Sequence, residues 1–237
     1  MIAQAFEDLS QALRVLLEAR FRFHQLFTVD FPEAVGNVEN GLTGVLNAFH
    51  SLYDSMAKAG ISSRVDWYRS PELCTILAIR NARHHNLCHK IRTIFSYHLD
   101  TVNPPTQKQK YLMIDFAFSE DNATAIDVPL SLSDLDQLIS LPQKVSKLRG
   151  GSCELISAYL NSKSAVDYAT SHGLDIAHVF FNVIPLIVNA GIAVHPHIKD
   201  HITHKSTESE HFDFHFREVL PANTNNHKYE IFDFWQP

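Results

Sequence analysis

Residues 35–56 read VGNVENGLTGVLNAFHSLYDSM, and they place Val35, Val38, Leu42, Val45, Phe49, Leu52 and Met56 at alternating spacings of three and four. That spacing predicts one long helix with a narrow apolar seam, suited to antiparallel packing or to a helix from another subunit. Asp30-Phe31-Pro32, with Glu33 after it, reads as the helix start. Gly36, Gly41 and Gly44 each cost about 1 kcal/mol of helix propensity relative to alanine, which close approach of a second helix would offset. Upstream, Ile2, Phe6, Leu9, Leu13 and Leu16 carry the same period, so the chain opens on a helix as well.

Downstream, Ser70-Pro71-Glu72 predicts a third helix start, with Ser as the cap and Pro at the first helical position. Its apolar stripe would run Leu73, Leu77, Arg80, His84, Leu87, Ile91, Ile94, His98. Arg80 and His84 therefore stand inside an apolar register. Local rules are broken in this way where function resides. Thr101-Val102-Asn103-Pro104-Pro105 reads as a linker, and beyond it the period changes.

Tyr111–Phe118, His211–Val219 and Tyr229–Trp235 read as strands, with Pro-Ala-Asn-Thr-Asn-Asn as a hairpin loop between the last two. Helical stretches near 131–140, 152–170 and 174–190 fill the interval. Residues 176–198 hold no Asp, Glu, Lys or Arg, but His178, Asn182, Pro185 and Asn189 mark them as a buried helix with a polar edge rather than a membrane span. The fold class expected is mainly α. A long-helix bundle over 1–102 precedes a small α+β domain over 103–237 with antiparallel strands.

Composition narrows the function classes. The 237 residues are 45% hydrophobic and 19% charged, which excludes a disordered or collagen-like chain. Three cysteines (Cys74, Cys88, Cys153) form no CxxC pair, so a disulfide scaffold is excluded and a reducing cytoplasm is expected. The N-terminus carries acids where a signal peptide has basic residues, so no export is expected. The net charge of −6 gives no global basic footprint for nucleic acid. Between Arg64 and Arg92, however, six basic residues and three His face only Asp66 and Glu72.

That basic stretch contains Arg80-Asn81-Ala82-Arg83-His84-His85-Asn86. An Arg followed by a polar residue, with His five positions after the Arg and late in a helical domain, resembles the signature of the HEPN superfamily of ribonucleases. The family pattern is Arg, four to six residues, then His, often with Asn directly after the Arg. The resemblance covers the motif and its helical setting, about 100 of the 237 residues. It implies a metal-independent endoribonuclease, acting as a toxin or anti-phage effector. It implies further a homodimer that brings two motifs into one cleft, with RNA as substrate, an antitoxin or sensor protein as a further partner, and no cofactor. By that resemblance Arg80, Asn81 and His85 are the catalytic candidates.

The chemistry suits these residue types. RNA carries its own nucleophile, the 2′-hydroxyl, so cleavage asks for a base, an acid and a fixed positive charge on the phosphorane-like transition state. Histidine titrates near neutrality and arginine offers a planar fork of donors to phosphate. His84 lies nearer the helical face of Arg80 than His85 does and is the alternative to it. Arg83, His89 and Lys90 are the candidate RNA-backbone contacts. His85 and His89 stand four apart, but no carboxylate lies between them to make a metal motif.

A second constellation gathers six of the 15 His within residues 195–215. On a strand, His211, Asp213 and His215 would project from one face, as a metal site would require. Two further readings therefore stand beside the ribonuclease: a non-catalytic helical module that binds RNA, nucleotide or protein, and a metal-dependent enzyme centred on His195–His215. No stoichiometric metal is expected at His195, His197, His201 and His204.

Overall fold

The computed structural model describes residues 1–100, 109–116 and 126–234. The expected linker, the border at 102/103 and the ends of two expected strands (117, 118 and 235) lie outside them. The chain is mainly helical, with a helix bundle at its N-terminus and a small four-stranded sheet.

Helices α1 (Ile2–Phe27) and α2 (Phe31–Lys58) form an antiparallel hairpin. Asp30 caps α2, its carboxylate accepting from the Glu33 backbone N–H at 2.9 Å, with Pro32 in the first turn. All seven seam residues from Val35 to Met56 are buried within this one chain. The seam is thus occupied by the chain's own helices and no longer argues for a partner subunit. Gly41 explains how closely α1 approaches: a Cβ there would sit 2.9 Å from the Leu16 Cα.

Helix α3 (Pro71–His84) begins at the expected Ser70-Pro71, although the Ser70 hydroxyl donates to Glu72 instead of capping. It stops at His84, so the stripe continuing to His98 is not one helix. Residues 85–93 form an irregular turn before α4 (Ile94–Asp100).

The sheet has the order β2-β3-β1-β4, built from β1 (Gln109–Phe116), β2 (Pro129–Ser131), β3 (Val179–Asn182) and β4 (His227–Phe234). β1 pairs antiparallel with β4 but parallel with β3, so the sheet is mixed rather than antiparallel throughout. Between β2 and β3 run α5 (Leu132–Ser140), the short α6 (Gln143–Ser146), α7 (Ser152–Leu160) and α8 (Ser162–Ser171). The charge-free stretch splits into β3 and α9 (Ile184–Ile198). Among the described residues no helix is long and apolar enough to cross a membrane.

The strand expected at His211–Val219 is a helix, α10 (Thr207–Glu218), and the hairpin with β4 is therefore absent. Ser206 caps α10 by accepting from the Ser209 N–H, and Glu208 and Glu210 occupy its first turn. Phe212 and Phe216 are separated by one helical turn and face the core. Phe214, between them, is 58% exposed. Two apolar positions four apart suit either period, and the cap decides for helix. Phe216 lies against Gly191 of α9, where any Cβ would collide with its ring. One continuous apolar cluster joins α1–α4 to the sheet and to α9 and α10.

Candidate functional site

The end of α3 is set by its own backbone. His85 is the C-cap, Asn86 adopts φ +54°, and the Leu87 N–H reaches back to the Ala82 carbonyl at 2.9 Å. This is a Schellman-type stop with asparagine in the left-handed position. Cys88, His89, Lys90 and Ile91 continue at positive φ, a costly run for side-chain-bearing residues that neighbouring contacts must hold in place. Arg83 is one of those contacts. It is almost fully buried, pairs with Glu39 of α2 and donates to the carbonyls of Lys90 and Ile91. Glu39 also accepts from the Thr93 hydroxyl at 2.7 Å, and Thr93 caps α4 through the Ser96 N–H. Arg92 is committed in the same way, to Asp134 at 2.8 and 2.9 Å. Arg83 is therefore a structural tie that clamps the turn onto α2, at the wall of the cleft between them.

Arg80 has different neighbours. Its Nε donates to Asn47 Oδ1 at 3.3 Å and its Nη1 to Asn81 Oδ1 at 3.2 Å. Both acceptors are neutral amides, and among the described residues no carboxylate pairs with Arg80. The guanidinium is oriented while its charge stays available. His84 follows one turn later, rotated by only about 40° around the helix, whereas His85 is rotated by about 140°. Accordingly Arg80 and His84 share an open cleft of about 820 Å³ between α2 and the turn after α3, and His85 is not among the residues lining it. His85 is exposed with its ring edge-on to His84, the centroids 4.9 Å apart.

Asn47, Asn86, His89 and Lys90 line the same cleft. Lys90 and His89 are exposed and, among the described residues, their side chains have no ionic partner, which leaves a polar, net-cationic surface of the kind that holds phosphate. No protein-family model matches this chain, and no curated protein or solved structure matches it either.

Sequence reasoning passed over three contributors. Asn47 and His50 lie on the polar edge of α2, and Glu39 anchors the turn. His50 shares the neighbourhood of Arg80. Burial and then the Arg80 charge, together with His84, lower its pKa against the opposing pull of Asp54, whose carboxylate lies 3.6 Å from His50 Nδ1. Asn47 and His50 three apart on a helix was the available signal.

The histidine-rich corner does not assemble as expected. With α10 helical, His211 and His215 turn into an apolar groove with Leu13, Leu16 and Ile187, while Asp213 points away from them. Asp213 bridges two other histidines, accepting from His195 Nε2 at 2.7 Å and lying 3.5 Å from His204 Nε2. The candidate metal set His211, Asp213, His215 is thus divided between opposite faces of α10. Among the described residues no group of three or more His, Cys, Asp or Glu is placed to hold a metal ion.

Proposed function

We propose that the α2–α3 cleft is the site of a metal-independent endoribonuclease. The observation that carries this reading is Arg80, oriented by two amides and, among the described residues, paired with no carboxylate, in one cleft with His84 a helical turn away. Arg80 would bind the scissile phosphate and stabilise the charge that builds on it, with Asn81 orienting the guanidinium. His84 replaces His85 as the acid–base group, because the regular helix keeps it on the Arg80 face. Lys90 and His89 would hold the flanking RNA backbone by charge. A role as toxin or anti-phage effector, a homodimer, and an antitoxin or sensor partner extend the reading by resemblance to the HEPN superfamily.

The test is incubation of the purified chain with structured RNA, with and without EDTA, followed by mass spectrometry of the ends. Cleavage that persists in EDTA and leaves 2′,3′-cyclic phosphate is expected, with DNA untouched. 3′-Hydroxyl ends, cleavage of DNA, or binding without cleavage would each defeat the proposal.

A further inference from the structure

The cleft is larger than a phosphate requires. Its volume of about 820 Å³ admits a nucleotide together with its base, and among the described residues Leu46 is the one apolar side chain lining it. Its two sides differ in charge. Arg80, His84, His89 and Lys90 stand on α3 and the turn after it. Across from them α2 contributes Asn40, Thr43 and Asn47, spaced three and four apart and so aligned along one edge of the helix. Glu39 lies beside that row, but its charge is met by Arg83, which leaves the α2 side neutral. An RNA strand has the same two sides: an anionic backbone, and bases whose edges are neutral donors and acceptors.

We propose that this edge of α2 is a base-reading subsite, in which Asn40 and Thr43 bond the base of an unpaired nucleotide beside the phosphate held by Arg80. The substrate is then single-stranded RNA, cut next to a preferred base. This rests on the endoribonuclease reading above and deepens it.

Three features of the site support the assignment. The row begins at the phosphate position, because Asn47 Oδ1 accepts from Arg80 Nε at 3.3 Å, while among the described residues Asn47 Nδ2 has no acceptor. Thr43 and Asn40 follow at about 6 and 10 Å along the axis, given the rise of an α-helix, so the row leads from the bound phosphate along the cleft. Both are exposed, and among the described residues neither side chain has a hydrogen-bond partner, so their polar atoms are open to a ligand.

The residue types fit the task. An asparagine amide offers a donor and an acceptor to one base edge, and a threonine hydroxyl can serve in either sense. Pairing hides those edges in an A-form duplex, whose deep major groove side chains cannot enter, so a loop or a single strand is required. Asn40 and Thr43 determine which nucleotide is presented, and the proton transfers are left to the groups around Arg80.

The experiment maps cut sites by sequencing the products from a random-sequence single-stranded RNA pool, for the wild type, Asn40→Ala, Thr43→Ala and Thr43→Ser. Circular dichroism checks that each variant folds. The wild type should favour one base beside the cut, and a strand taken from the pool should resist cleavage once annealed to its complement. Asn40→Ala should reduce the advantage of the favoured base by about tenfold, the scale of one good side-chain–base pair. Thr43→Ala should reduce it by a smaller factor, and Thr43→Ser, which keeps the hydroxyl, should retain it. A wild type that cuts without base preference, a cut-site profile unchanged in Asn40→Ala, or a duplex cut as readily as the single strand would each overturn this inference alone. A wild type that cleaves no RNA sinks the endoribonuclease reading with it.

Discussion

The end of α3 and the corner between α9 and α10 are both rich in histidine, and the structure treats them in opposite ways. At the α3 end, Arg80 is held by amide oxygens, and among the described residues His84, His89 and Lys90 have no ionic partners, so charged and titratable side chains face an open cleft. At the corner, Asp213 satisfies His195 and approaches His204, while the exposed His211 and half-buried His215 line an apolar groove. A cluster of one residue type is therefore no guide to chemistry. What distinguishes the two regions is whether the neighbours neutralise the groups or only aim them.

The largest expected effect tests the cleft. His84→Ala should lower RNA cleavage by about 10²–10⁴-fold, and Arg80→Ala by about 10²–10³-fold. His85→Ala should stay within about threefold of wild type by the same rate scale, since its ring lies off the Arg80 face. Single-turnover rates decide this, and a severe His85→Ala with a mild His84→Ala would reverse the assignment.

Asp213→Ala tests the corner from the other side. It removes the partner of the buried His195 and should cost about 1–3 kcal/mol of stability by urea denaturation, with cleavage per folded molecule unchanged. A loss of activity without a loss of stability would move function to the corner and erase the contrast.

The smallest effect concerns pH. Burial lowers the pKa of His215 below its ordinary value. The unfolded chain then binds a proton that the folded chain resists, so stability falls as pH drops below about 6.5 and recovers above it. His215→Gln should flatten that part of the stability–pH curve. An unchanged slope would mean that the ring is better solvated than its apolar groove implies.

Several features were legible in the sequence because their causes are local. The Val35–Met56 seam, the Asp30 cap and the strand at Tyr111 follow from spacing and capping within a few residues. The rotation separating His84 from His85 follows from helical geometry, although the family pattern favoured His85. Asn86 was a readable stop, since asparagine tolerates the left-handed position that ends α3. The strand expected at His211–Val219 also had a local cause: Phe212, Phe214 and Phe216 alternate, whereas a capped helix buries Phe216, half-buries Phe212 and exposes Phe214.

Local pattern determined that α1, α2 and the start of α3 are helical and where Arg80 stands on its helix. It did so because hydrogen bonding and side-chain periodicity act over one or two turns. Tertiary packing alone decided that α1 covers the α2 seam, with Gly41 admitting the Leu16 backbone, and that Arg83 turns inward to Glu39. It alone brought Asn47 of α2 to Arg80 of α3, a separation of 33 residues. Each of these depends on which of several compatible surfaces meet, and a guanidinium becomes a clamp or a free charge according to whether a carboxylate or an amide is brought opposite it.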